Sequence, residues 1–161
     1  MGLLSFVREA GEKLFGRKEV EAAAAESAQD KLADLNQKAA AAIVAYIDKQ
    51  GLDTRALQVS FDGASSTVTV AGTVADQATR EKVLLCCGNV EGVDKVDDQL
   101  TVINPEPPAT FHTVVRGDTL SAIAKACYGN ANAYMKIFEA NKPMLSDPNK
   151  IYPGQVLRIP A

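Results

Sequence analysis

Residues Asn104-Pro105-Glu106-Pro107-Pro108 put three prolines into four consecutive positions. Proline has no N–H to give to a strand ladder, and it holds its own φ, and the conformation of the residue before it, close to extended. No helix or strand runs comfortably through such a stretch, so the 161-residue chain is expected to fold as two small units joined at 104–109. A packed core is expected on each side: 47% of residues are apolar and 23% charged, the balance of a folded chain rather than a disordered one.

On the N-terminal side, Leu3, Val7, Ala10 and Leu14 recur at helical spacing with Arg8, Glu9, Glu12 and Lys13 between them. The spacing predicts an amphipathic helix over 3–15 whose apolar face docks on the protein's own core. Gly11 is the oddity, because a glycine inside a helix costs about 1 kcal/mol relative to alanine and suggests a bend, an end or a close approach. Lys18 to Gln37, rich in Ala, Glu, Lys and Gln, reads as a helical linker without a strong apolar stripe. Residues 1–34 thus form an arm and linker.

From Leu35, the positions Ala39, Ile43, Tyr46 and Ile47 share a helical face, with Gly51 at a left-handed C-terminal cap. Leu57, Val59 and Phe61, then Val68 and Val70, alternate about the turn Gly63-Ala64-Ser65-Ser66 and predict a hairpin. Asp76 can cap a second helix carrying Val83, Leu84 and Cys87, which Gly88 can end; a last strand runs from about Lys95 to Ile103, with Asp98 a polar exception on its inward side. The order helix, strand, strand, helix, strand over 35–103 gives two helices on one face of a three-stranded sheet. The T-V-T-V-A-G-T-V strand around Gly72 and the closing V-D-D-Q-L-T-V strand resemble the BON domain family.

After the prolines come a strand from Phe111 to Val115, a turn at Arg116-Gly117, a helix from Thr119 to Cys127 capped by Asp118 or Thr119, a helix from Ala133 to Asn141 and a strand from Val156 to Ile159. Residues 110–161 resemble a LysM domain along their whole length: H-T-V-V-R-G-D-T-L-S-A-I-A first, I-F-E-A-N in the second helix, I-Y-P-G-Q-V-L-R-I-P last. The fold class expected is α+β: a helical arm, an αββαβ unit and a βααβ unit.

The residues themselves offer little catalytic chemistry. His112 is the one histidine, in a strand; Asp97 and Asp98 are adjacent on a strand and so face opposite ways. Gly88-Asn89-Val90-Glu91-Gly92 lacks the Lys-Ser/Thr of a phosphate loop and follows a helix into a strand rather than the reverse. On chain geometry alone this loop is a helix cap and a turn, though a helix C-terminus also leaves carbonyl oxygens without partners, at the negative end of the helix dipole. Cys86, Cys87 and Cys127 make neither a C-x-x-C pair nor an even disulfide framework and read as buried apolar residues in a reducing compartment. A formal net charge of -3 gives no basic field for nucleic acid or an anionic membrane. The charged residues of the first fifteen positions break up any signal-peptide core, and no stretch reaches the length of a membrane span. A cytoplasmic, monomeric protein that is not an enzyme is expected.

The whole chain, BON before LysM and preceded by G-L-L-S-F-V-R-E-A-G-E-K-L, resembles the small bacterial potassium-binding proteins that act as cytoplasmic potassium sensors; the Ala-rich stretch from about Arg17 to Asp34 looks longer here. The resemblance implies potassium as the ligand, held by main-chain carbonyls of the arm and of the loop after the second BON helix. Carried over by motif, these are Val7, Ala10 and Glu12 with Gly88, Val90 and Val93. A neutral carbonyl cage suits a large, weakly hydrated monovalent ion, whereas divalent sites are normally built with carboxylates. If Val7 gives its oxygen to an ion, the arm is expected to be distorted or to end near Gly11. The LysM resemblance implies an alternative ligand, an N-acetylglucosamine-type glycan, between Gly117-Asp118-Thr119-Leu120 and Ile151-Tyr152-Pro153. The protein partner of a sensor is not legible.

Overall fold

The structure, a computed structural model, describes residues 2–26 and 28–161. Its central element is a four-stranded sheet in the order β1-β4-β3-β2, built from β1 (Gly2–Ser5), β2 (Leu57–Asp62), β3 (Thr67–Asp76) and β4 (Lys95–Asn104). β2 and β3 form the expected antiparallel hairpin, with Val59 opposite Val70 and Phe61 opposite Val68. β3 and β4 run parallel, Val68 beside Val96 and Gly72 beside Leu100. Parallel neighbours need a crossover, and α3 (Gln77–Gly88) supplies it. Asp76 caps that helix, its carboxylate accepting the Thr79 N–H at 2.7 Å.

The arm differs from expectation. Residues 2–5 are a strand, antiparallel to β4 with Leu4 opposite Val96 and Leu3 opposite Asp97, and among the described residues no helix forms before Arg17. The sheet therefore has four strands where the sequence predicts three. A thirteen-residue helix interrupted by Gly11 is marginal on its own, whereas the open edge of β4 offers a ladder of unpaired N–H and C=O groups. The buried residues follow period two rather than 3.6: Leu4 packs against the core and Phe6 is buried, while Leu3 and Val7 remain exposed. The Phe6 ring lies against Gly88, where an added Cβ would fall 2.0 Å from the ring. Gly88 thus ends α3 by making room rather than by adopting a left-handed cap; its φ is not positive.

The linker is helical as expected, but it is broken and docked. α1 (Arg17–Ala25) buries Val20 and Ala23, and α2 (Gln29–Lys49) starts six residues before Leu35, the helix start the sequence suggests. Val20 reaches the hairpin turn at Gly63, whose N–H bonds the Asn36 side chain at 2.9 Å. α2 buries Ala39, Ile43 and Ile47 under the sheet, and Gly51 takes φ 78° just beyond its end.

The second unit pairs β5 (Thr110–Thr113) with β6 (Val156–Ile159) antiparallel. Across them pack α4 (Leu120–Tyr128), a 3-10 turn (Ala131–Ala133) and α5 (Tyr134–Ala140), around Leu120, Ile123, Ile137, Phe138 and Leu157. Thr119, not Asp118, caps α4. Buried Asn141 ties α5 to β6: its amide donates to the Ile137 and Arg158 carbonyls at 2.7 and 2.9 Å and accepts the Arg158 N–H at 2.8 Å.

The two units share an interface centred on α3. Val156 of β6 belongs to the core of the first unit, and α3 buries Leu85 and Cys86 as well as Val83, Leu84 and Cys87. A helix covered on nearly all sides buries Leu85 and Cys86 in addition to the face of Val83, Leu84 and Cys87 that the sequence predicts. Glu81, 1% exposed, is the polar hub: one carboxylate oxygen accepts the Gln77 amide at 2.8 Å and the Ala109 N–H at 2.9 Å, and the other pairs with the Arg158 guanidinium. Asp98, the polar exception of β4, is held by Arg80 at 2.6 Å. A buried charge is tolerated only when paired, and removing one partner strands the other. Glu81→Ala is therefore expected to lower unfolding stability by about 3 kcal/mol, read as a fall in the urea midpoint; an unchanged midpoint would show that the hub does not hold the units together.

Candidate ion site

The arm and the loop after α3 are two turns clasped through their main chains. In the arm, the Val7 carbonyl accepts the Ala10 N–H at 3.1 Å; in the loop, the Val90 carbonyl accepts the Val93 N–H at 3.1 Å. Gly92 sits at the third position of the second turn with φ 103°, the conformation a type II turn demands there. The Arg8 carbonyl accepts the Gly92 N–H at 2.7 Å, which locks one turn to the other. Beside this bond, Phe6 donates its N–H to the Asp94 carbonyl at 2.7 Å. Glu12 donates to the Asn89 carbonyl and accepts from the Glu91 N–H, both at 2.9 Å, forming a parallel bridge with Val90.

Gly11 has its explanation here. Its φ is 115°, and an added Cβ would lie 2.5 Å from the Asn89 carbonyl oxygen, the acceptor of the Glu12 N–H. The Val7 oxygen is not bonded to Gly11 in helical fashion; it closes the short turn to Ala10.

Each of the six main-chain positions suggested by the sequence falls on this clasp. The carbonyls of Val7, Glu12 and Val90 each accept one hydrogen bond, leaving a second lone pair. Among the described residues, no hydrogen bond ends on the carbonyls of Ala10, Gly88 or Val93. Three neighbouring carboxylates are paired with arginines: Arg17 lies 2.9 Å from Glu21, 3.5 Å from Glu91 and 3.8 Å from Glu9, and Arg8 is 3.5 Å from Glu9. Its hydrogen bond to Glu21 chiefly raises the Arg17 pKa. Among the described residues no group of three or more His, Cys, Asp or Glu side chains could hold a metal ion, and main-chain oxygens are the donors that the two turns present in number.

Sequence reasoning missed the residues that brace the clasp. The Asn89 side chain makes two bonds to β6, donating to the Val156 carbonyl and accepting the Val156 N–H, both at 2.8 Å. Gly154, just before β6, presses on the arm: an added Cβ would lie 2.6 Å from that of Ala10 and 3.2 Å from that of Val7. The second unit thus touches both halves of the clasp. A G-N-V turn gives no sign of so distant a partner, and no sequence expectation fell on Gly154.

The residues suggested for a glycan have other engagements. Leu120 and Ile151 contribute to the core of the second unit. Asp118 accepts the Val115 N–H at 3.0 Å and lies 2.8 Å from His112 Nε2, and these contacts, the Val115 bond foremost, lower its pKa. Thr119 caps α4, Gly117 lies in the preceding turn with φ 93°, and Pro153 is exposed. Tyr152 lines a cleft between the units. Cys86 and Cys87 are buried, which pushes the Cys86 thiol up to about 12 and Cys87 further in the same direction, while Cys127 is exposed.

The BON domain family matches residues 32–104 and the LysM domain family residues 112–160, so fold and matches together define a two-domain BON and LysM protein with an arm added to the BON sheet. The chain belongs to the family of the Potassium binding protein Kbp of Escherichia coli O6:H1, to which it is 46% identical over 160 residues, 99% of each chain. Shorter similarities join it to an uncharacterized protein of Deinococcus radiodurans, 49% identical over 51 residues (32% of this chain, 19% of that one). An esterase of Mycobacterium tuberculosis is 49% identical over 53 residues, 33% of this chain and 11% of that one.

Gly11→Ala is expected to open the clasp, because the added methyl displaces the acceptor of the Glu12 N–H. Amide hydrogen exchange at Glu12 and Gly92 should accelerate at least about tenfold, the counterpart of a local loss near 1.4 kcal/mol, while the core of α2 stays protected. Unchanged exchange at both amides would contradict the role given to Gly11.

Proposed function

We propose that this protein binds potassium selectively through the main-chain carbonyls of Val7, Ala10, Glu12, Gly88, Val90 and Val93, and that it works as a cytoplasmic potassium sensor rather than as an enzyme. The observation that carries the reading is the carbonyl census of the clasp: six positions on two interlocked turns, three whose oxygens have no donor among the described residues and three with one lone pair in use. A carbonyl cage with no carboxylate suits a large monovalent ion with a weak hydration shell. Membership of the Kbp family supports potassium as that ion. Among the described residues no helix is long and apolar enough to cross a membrane.

The mechanism is linkage. An ion shared by arm and loop binds only the clasped arrangement, so occupancy stabilises the fold and draws the arm, the α3 loop and the abutting second unit into one state. At a concentration about one hundred times the dissociation constant the gain is roughly 2.7 kcal/mol. For a chain of this length that corresponds to a rise of about 5 to 10 °C in melting temperature.

Thermal unfolding of potassium-stripped protein in KCl, NaCl and LiCl at matched ionic strength, with soluble chitin oligomers in parallel, tests the proposal. A saturable rise in KCl alone is the expected outcome. Equal curves in the three salts, with a shift from the oligomers, would leave the LysM unit and a glycan ligand as the function.

A further inference from the structure

A cleft lies next to the clasp. Arm, BON unit and LysM unit meet around a cleft of about 250 Å³ walled by Glu12, Tyr46 of α2, Leu85 of α3, and Met144, Lys150 and Tyr152 of the segment between α5 and β6. Asn89 and Gln155 on its wall are bonded to the main chain, whereas the exposed Glu12 and Lys150 side chains are open to a ligand. The arm's other carboxylate, Glu9, and its neighbours Glu21 and Glu91 face Arg8 or Arg17, yet the Glu12 carboxylate has no ion-pair or hydrogen-bond partner among the described residues. Lys142 is committed to Glu139 and to the ring of Phe138, and Lys136 to the ring of Tyr128, yet Lys150 has no such partner among the described residues. The hydroxyls of Tyr46 and Tyr152 likewise make no hydrogen bond there, although both side chains are half-buried. Glu12, Tyr46 and Tyr152 line the same cleft, which brings the carboxylate and the two phenols together on its walls.

A carboxylate beside two phenol rings is the chemistry that recognises an ammonium group, by charge, by hydrogen bonds to the oxygens and by attraction to the ring faces. A lysine on the same wall is the chemistry that recognises a carboxylate. Leu85 and Met144 give an apolar patch to the same cleft. The volume is below the several hundred Å³ common for drug-sized ligands, so the occupant is small. We propose that this cleft binds a zwitterion of the amino-acid class, its ammonium group held by Glu12, Tyr46 and Tyr152 and its carboxylate by Lys150. The site stands independently of the ion reading. Glu12 joins the two, its main chain in the clasp and its side chain in the cleft, and any effect of one occupancy on the other's affinity is reciprocal.

Isothermal titration of the full chain, in KCl and again in NaCl, with each of the common α-amino acids and with trimethylglycine tests the site; acetate and methylammonium serve as half-ligands. At least one zwitterion is expected to bind with a dissociation constant below roughly 1 mM, with each half-ligand at least about tenfold weaker. Tyr152→Phe and Lys150→Gln should each weaken that zwitterion about tenfold while leaving the melting-temperature response to KCl in place. Absence of binding by every zwitterion, equal binding of a half-ligand, or affinity untouched by both substitutions would overturn the proposal. A missing response to KCl would count against the ion reading alone.

Discussion

The interaction on which the rest depends is the main-chain pairing of the arm with the loop that leaves α3. Four of its bonds, Phe6 to Asp94, Gly92 to Arg8, Glu12 to Asn89 and Glu91 to Glu12, join segments about eighty positions apart in sequence. They form only because the arm begins as a strand on β4 and because Phe6 is received by the bare backbone at Gly88. Once the arm is held at these points, its free carbonyls and those of the loop lie on one small structure. Neither segment has enough oxygens without the other, and this is why an ion there would report the closure of the whole assembly rather than a local event.

The second unit is part of the same device. β6 meets the loop through the two bonds between Asn89 and Val156, and Gly154 meets the arm at Val7 and Ala10. The Glu81 hub and its Arg158 partner fix the distance between α3 and β6. A LysM unit docked in this way braces the clasp from behind, and the segment around Tyr152 faces the BON unit across a cleft. The engagements of Asp118, Leu120 and Ile151 within the LysM unit itself weaken the case for a glycan face at these residues.

Much of this was legible in the sequence, and the exceptions have physical reasons. The hairpin, the Asp76 cap and the crossover helix follow from local patterns that tertiary contacts reinforce. The arm was misread because Leu3, Val7, Ala10 and Leu14 satisfy a helical period while Leu4 and Phe6 satisfy a strand period, and only the open edge of β4 decides between them. Val20, in a stretch that reads as linker, is buried because the hairpin turn at Gly63 gives it a surface to cover. The odd glycine at 11 was a true signal, and its cause was a close approach to Asn89 rather than a bent helix. The six proposed carbonyl positions come from resemblance, since a main-chain oxygen leaves no side-chain signature; Asn89 and Gly154, which brace the two turns, depend on contacts that no local pattern encodes.

The central claim is that these six carbonyls hold the ion. Carbonyl ¹³C chemical shifts, followed residue by residue while KCl is titrated into potassium-free protein against an NaCl control, address it most directly. The account predicts that the largest potassium-specific shifts fall on Val7, Ala10, Glu12, Gly88, Val90 and Val93 and saturate together at one dissociation constant. Shifts of equal size in NaCl, or potassium-specific shifts centred away from both turns, would contradict it.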